Sequence, residues 1–430
     1  MSTEVDVYRL TSSLVDEYIE GLFSKDAFEQ PSDSKKPEDL EMKLPEWFDE
    51  KQFNKARRFY WNNCYMLSSS MLNGLVAVFA IPSILQVLIG TKRSNSPYTA
   101  YKRYLSTLLH TLSWFEHELK PGSRSWRSLF TVRTRHFKAS LAAKLKNQPL
   151  VSQRDLALTQ FGFIGFSMIK SDKFGIRQFE TGDWEAYNHF WRTIGHLIGL
   201  EDKYNLCRKN VDETRQACQI LLDRVYTPCL ENVPEYFEHV SRAMLEGLWC
   251  VNPTVHIDGM LYFTKYLCSV PGYVYTEQDR IELQQKCMKQ LNGRSDEIGI
   301  ETSSLMAKPL IDLPPRKHLI YIRDYDSLET VPPYKRLPLA GKYKTALYYI
   351  LSAFYTSYIG RIYLNLNFRF SLFLMKYFPY MAFFRFGIIK SYVNIFKEDP
   401  MDNAELKPNS EYEKPQPPLP LYKELLSLIW

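Results

Sequence analysis

The sequence lacks most of the short signatures that announce a familiar chemistry. It has no glycine-rich phosphate loop, no G-x-S-x-G turn for a nucleophilic serine and no H-E-x-x-H pair of zinc-binding histidines, which sets aside P-loop, α/β-hydrolase and zincin mechanisms. None of the eight histidines has a glutamate three residues before it, so the Glu-x-x-His repeat of a di-iron carboxylate bundle is missing as well. Cysteine is scarce and scattered. The seven residues Cys64, Cys207, Cys218, Cys229, Cys250, Cys268 and Cys287 are an odd number with no C-x-x-C pair, and reduced thiols are expected. The formal charge of +6 over 430 residues comes without a massed basic run, so no nucleic-acid footprint is read. The first 25 residues lack a basic, then apolar, then small-residue progression, and a cytoplasmic, non-secreted chain is expected.

Aromatic residues are what the chain does have, at 15% with 29 Tyr and 26 Phe; they suit pocket linings and membrane interfaces. Apolar positions recur with helical period through most of the sequence, which predicts an all-α fold. Its organising stretch runs from Tyr101 to Ser140 as two helices broken by Pro121-Gly122-Ser123. On the first helix Arg103 and Thr107 are four residues apart and share a face. On the second, Arg133, His136 and Ser140 share a face at i, i+3, i+7. A cation and a hydroxyl on one helix opposite an imidazole on the next is the arrangement of haem proteins that hold iron by one proximal histidine. The pairs His110/His117 and His189/His196, each seven apart, offer the same residue type on other helix faces, and helical histidines are more often satisfied by ordinary hydrogen bonds. A thiolate ligand is not favoured, because Cys229 follows Pro228 rather than sitting in a glycine-bearing loop.

Four runs carry a resemblance. Leu44-Pro45-Glu46-Trp47-Phe48-Asp49, Thr91-Lys92-Arg93-Ser94, Ala100 to Thr107, and Trp126-Arg127-Ser128 with Val132-Arg133 and His136 resemble the catalytic domain of the rubber oxygenase (latex clearing protein) family, which includes an endoplasmic-reticulum-bound fungal oxygenase. Tyr187 to Gly199 resembles that family's tryptophan-arginine and glycine signature. The match runs from Leu44 to Cys218. The resemblance implies a globin-like helical core with additional helices, haem b (iron) as cofactor, and oxidative cleavage of polyisoprenoids by dioxygen. It makes His136 the proximal iron ligand and places Arg103 and Thr107 on the distal, catalytic side. Two departures stand out: Ser106 occupies the place of a lysine before the distal threonine, and Gln86 lies where a glutamate is expected. An amide cannot accept a proton at useful pH, so a non-catalytic membrane-associated haem or lipid-binding protein is the alternative.

Five regions are expected. Residues 1–43 form a polar extension with a linker at Pro31 to Pro37. Residues 44–291 form the helical domain, residues 292–342 a loop-rich connector, residues 343–396 an aromatic helical segment, and residues 397–430 a proline-rich tail, disordered over Glu398 to Pro420. Phe53 to Met71 reads as one helix. Met71 to Gly90 reads as a proline-kinked core helix and part of a substrate wall, although its twenty residues also reach the ~20 of a membrane span. Within 343–396 the basic residues Arg361, Arg369, Lys376, Arg385 and Lys390 punctuate aromatic runs, a pattern suited to a membrane surface with cations reaching the headgroups. Ser152 should cap the helix carrying Gly162 and Gly165, and Asp183 the helix carrying Trp191 and Arg192. The expected partners are a hydrophobic small molecule, dioxygen and the cytoplasmic side of an intracellular membrane such as the endoplasmic reticulum.

Overall fold

The computed structural model describes residues 2–33, 36–146 and 148–414, and it is all-α. The first half runs α1 (Ser2–Leu22), α2 (Lys25–Glu29), α3 (Glu50–Asn62), α4 (Cys64–Val78), α5 (Pro82–Gly90), α6 (Pro97–Glu116), α7 (Arg124–Lys144), α8 (Gln153–Ile169) and α9 (Asp183–Leu197). Then follow α10 (Val211–Leu221), α11 (Thr227–Glu231), α12 (Phe237–Leu248), α13 (Ile257–Leu267) and α14 (Glu277–Leu291).

Local chemistry explains the boundaries. Ser96 and Thr99 form a reciprocal capping box ahead of Pro97, a residue pre-set for the first helical turn, and so start α6. Ser123 Oγ accepts from Trp126 N–H at 3.1 Å and starts α7. Arg57, on α3, donates to the carbonyls of Phe115 and Glu116 at 2.9 and 2.8 Å, placing a cation on the carbonyl end of α6. Beside that contact the rings of Tyr60 and Phe115 stack at 3.8 Å, and Phe115 stacks on Phe190 at 4.2 Å. One aromatic column thus joins α3, α6 and α9.

Two expected helices divide. The Phe53 to Met71 helix breaks at Asn63, whose side chain binds the carbonyls of Phe59 and Arg177 at 3.3 and 3.1 Å. The Met71 to Gly90 run is no kinked helix: α4 and α5 meet at a 92° corner, with Phe79, Ala80 and Ile81 fully buried in the turn and Pro82 opening α5. Among the described residues no single helix is long and apolar enough to cross a membrane, and that bent pair passes by length and composition only.

The connector holds one short antiparallel pair, β1 (Ile300–Glu301) with β2 (Leu319–Ile320), and α15 (Pro332–Lys335). The aromatic segment folds as α16 (Leu339–Tyr355), α17 (Tyr358–Tyr377), α18 (Tyr380–Phe386) and α19 (Ile388–Ser391). All seven cysteines are free and buried. Ser34 and Lys35 of the linker and residues 415–420 of the tail lie outside the described residues. The tail before them differs from expectation: residues 398–414 are held against α6, α7 and α12, for example by Asn409 Oδ1 accepting from Glu238 N–H at 3.1 Å.

Gly162 meets a helix backbone. A Cβ added to Gly74 would fall 1.9 Å from the Gly162 carbonyl oxygen, so α4 and α8 touch main chain to main chain. Replacing Gly74 by Ala forces the helices apart, and a loss of roughly 1–3 kcal/mol or more is expected, read from the urea midpoint of the variant against the parent.

Candidate functional site

The α6–α7 hairpin carries all three expected residues, Arg103 and Thr107 on α6 and His136 on α7. Arg103 turns Nη1 to the hydroxyls of Thr91 and Ser94, at 2.8 and 3.3 Å, and its guanidinium lies 5.8 Å from the Tyr104 ring. Thr107 donates to the Arg103 carbonyl at 3.1 Å. His136, on α7, is half-buried, and its Nδ1 is sealed from solvent with no hydrogen-bond partner. Its pKa is lowered from 6.5 to about 4, first by burial, then by the positive charge of Arg103, with Asp33 opposing and Arg135 adding to the effect. The ring is therefore neutral at physiological pH, with a lone pair free for a ligand. His318, on the connector, also has a sealed, unpartnered ring nitrogen.

Beside the hairpin lies an apolar cavity of about 170 Å³. Met71, Leu72, Leu75 and Val78 of α4 form one wall, Tyr104, Thr107, Leu108 and Thr111 of α6 another, and Gly162 and Phe163 of α8 the floor. Tyr348 and Phe368, from α16 and α17, close it. The substrate wall expected from Met71 to Gly90 is thus its α4 half only. Thr107 reaches this cavity, whereas Arg103 and His136 do not line it.

Other residues singled out by sequence have structural partners. His110 Nδ1 is 2.7 Å from Ser128 Oγ, which also accepts from Trp114 Nε1 at 2.9 Å, so the serine hydroxyl has its proton free for the imidazole. His189 Nε2 accepts from Asp49 N–H at 3.0 Å, and His196 lies 3.7 Å from Asp202. Among the described residues no three His, Cys, Asp or Glu side chains gather as a metal cage. Arg192 pairs with Asp202 at 3.1 Å and covers the Trp47 ring at 4.0 Å, and Arg133 grips Asp33 through two nitrogens. Asp183 does not cap α9; Gly182 holds that position, and the Asp183 carboxylate accepts from Phe179 and Glu180 N–H. Ser106 is buried and accepts from Arg135 at 3.3 Å, while Gln86 is exposed.

Two polar groups escaped the sequence reading. His256 lines the cavity and caps α13 by accepting from Gly259 N–H at 3.3 Å; histidine is not among the usual capping residues, so nothing local marked it. Asp155 accepts from Ser83 Oγ at 2.8 Å but leaves Oδ2 buried and unpaired, and burial raises its carboxyl to about 6. Its place in the Ser152 cap was legible; its burial against α5 was not.

The neutral His136 ring sets a pH dependence. As pH falls from 6.5 to about 4, the unfolded chain takes up a proton that the folded ring refuses, so stability is full above this window and is lost within it. In protein free of bound cofactor the His136 ring signals should stay fixed from pH 8 to pH 5 by NMR; an ordinary titration near 6.5 would contradict the sealed environment.

No protein-family model matches the sequence. The chain is similar to the latex clearing protein LCP in its closed state, with a TM-score of 0.44 at 18% identity over 65% of this chain and 79% of that one. It is also 24% identical over 210 residues to the rubber oxygenase of Streptomyces sp. (strain K30), covering 45% of this chain and 48% of that protein. The chain thus spans about half the length of the curated relative it matches. Through that stretch, the protein is a distant homologue of rubber oxygenase.

Proposed function

We propose that this chain is a haem-dependent oxygenase acting with dioxygen on a hydrophobic, isoprenoid- or lipid-like molecule. The observation that carries the reading is His136: a neutral imidazole with a sealed, unpartnered nitrogen on the helix packed beside the cavity-lining α6. A metal-binding imidazole must be neutral and free of competing bonds, and the donor chemistry here fits a single axial ligand. His136 would hold haem b, which when bound supplies the iron at which dioxygen is activated. With Nη1 of Arg103 committed to Thr91 and Ser94, its Nε and Nη2 hydrogens are the ones left to steady a polar ligand. Thr107 brings a hydroxyl to the edge of the apolar cavity, whose hydrocarbon and aromatic walls suit an isoprenoid chain and exclude water.

A non-catalytic haem or lipid carrier is the second reading. Ser106 is engaged by Arg135 and Gln86 faces outward, so neither supplies a proton acceptor next to His136. Visible absorption of the parent beside His136→Ala tests haem binding: a Soret band lost or shifted in the variant is expected, and a colourless parent after haem supply would refute it. Oxygen uptake on adding polyisoprene or lipid to the haem-loaded parent is expected of the enzyme and not of a carrier.

The same reading extends to a membrane surface on the cytoplasmic side, such as that of the endoplasmic reticulum. Ile359, Tyr363, Leu366, Phe370, Phe373 and Tyr377 recur at alternating four- and three-residue steps along α17, and each is more than half exposed. The opposite face, with Leu364, Leu372 and Met375, is buried. An unpartnered apolar stripe of this kind marks an interaction surface. Four of the five basic residues differ from expectation: Arg361 is buried and binds the Gly175 carbonyl, Arg369 binds the Trp61 carbonyl, Lys376 pairs with Glu116 and Arg385 with Glu246. They anchor the helices to the core, while Lys390 stays exposed beside the Tyr98 ring. Apolar contact would then be the main hold of the stripe on lipid. The double variant Leu366→Glu/Phe370→Glu should remain with the soluble fraction in vesicle flotation while the parent floats; equal flotation would exclude this face.

A further inference from the structure

The chain after α19 crosses back over the α6–α7 hairpin as a strap, residues 392–404. Main-chain groups tie it down: Arg135 donates to the Ile395 carbonyl at 3.0 Å, Asp402 N–H donates to the Lys92 carbonyl at 2.8 Å, and Asn95 donates to the Ala404 carbonyl at 3.2 Å. Two acidic side chains then enter a basic cluster. Glu398 pairs with Arg93 at 2.9 Å and Lys138 at 3.1 Å. Asp399, with its side chain 10% exposed, lies 3.6 Å from Arg135 and also feels the charges of Arg103, Arg93 and Lys102. Burial raises its pKa against that attraction, so the carboxylate is held there at a desolvation cost.

We propose that Arg93, Lys102, Arg103, Arg135 and Lys138 form an anion subsite beside His136 for the carboxylates of a bound cofactor, a subsite that Glu398 and Asp399 fill from within the chain. Three observations support this. Five cations face two carboxylates, leaving positive charge in excess. The cluster and the imidazole adjoin, because Arg135 and Lys138, which hold Asp399 and Glu398, flank His136 on α7, and the Arg103 charge acts on both Asp399 and His136. A strap needed only to cover the hairpin has no use for a desolvated aspartate, because its buried Ile395 and its main-chain bonds already hold it. The inference rests on the haem reading above, haem b being a flat molecule with two carboxylate arms on one edge. Those arms and the strap carboxylates compete for the same cations, and like charges brought together there repel.

The test is a Soret titration of the full-length chain, parent and Glu398→Gln/Asp399→Asn, with haemin and with haemin dimethyl ester. Removing the internal carboxylates should tighten haemin binding by on the order of tenfold and leave the diester, which has no charged arms, unchanged. Lys138→Gln, an exposed change that spares the fold, should weaken haemin and not the diester. Unchanged or weaker haemin binding by the double variant, or equal gains for haemin and diester, would overturn the subsite while leaving a His136-dependent band intact. Absence of any band in every form would overturn the haem reading, and the subsite with it.

Discussion

Everything around the cavity depends on two helix backbones being allowed to touch. The α4 and α8 main chains meet at Gly74 and Gly162 with no room for a Cβ, and an approach this close is open only to glycine. It brings Val78 onto Gly162, turns Met71, Leu72 and Leu75 toward α6 and leaves an apolar space bounded by Thr107. The corner at Phe79 to Ile81 lies at the end of the same contact: α5 leaves at 92°, and its Ser83 still bonds Asp155 of α8 at 2.8 Å. The cavity therefore depends on how closely the wall helices pack, and side chains of α4, α6, α8, α16 and α17 line it.

The electrostatics are organised around a second constraint, that of keeping an imidazole neutral. Burial and the Arg103 charge act together on His136, and the hydrogen bonds that tie up His110 and His189 are absent there. Arg135, one residue earlier on the helix, points toward Ser106, His110 and the strap. Adjacent residues of α7 thus do different things: the buried Nδ1 of His136 makes no hydrogen bond, and Arg135 joins the hairpin to the carboxyl-terminal strap. This division places the cations next to the free imidazole without bonding to it.

Much of this frame was legible. Helical period, the Pro121-Gly122-Ser123 break and the Ser152 cap located α6, α7 and α8, because those signals are local and act within a turn or two of chain. Gly162 signalled a close approach, but its partner lies 88 positions earlier and no local pattern names it. The run from Met71 to Gly90 announced burial; hydropathy has no term for a corner, and only Pro82 hinted at one. The tail misled for a clear reason. Acidic, proline-rich sequence cannot bury enough apolar surface to fold alone, yet residues 392–404 need no core of their own, since a basic hairpin some 260 positions away supplies the partners. At the candidate site, Arg103, Thr107 and His136 could be placed on faces by spacing, whereas the commitment of Arg103 to Thr91 and Ser94 and the outward turn of Gln86 could not.

The central claim, that one free imidazole on α7 is the iron ligand, is tested most directly by replacing it with an equivalent that is not attached to the chain. His136→Gly should bind haem poorly, and adding free imidazole should restore the parent's absorption spectrum by filling the vacated place. If the variant keeps the parent spectrum without imidazole, or if imidazole restores nothing while circular dichroism shows the helices intact, His136 is not the ligand.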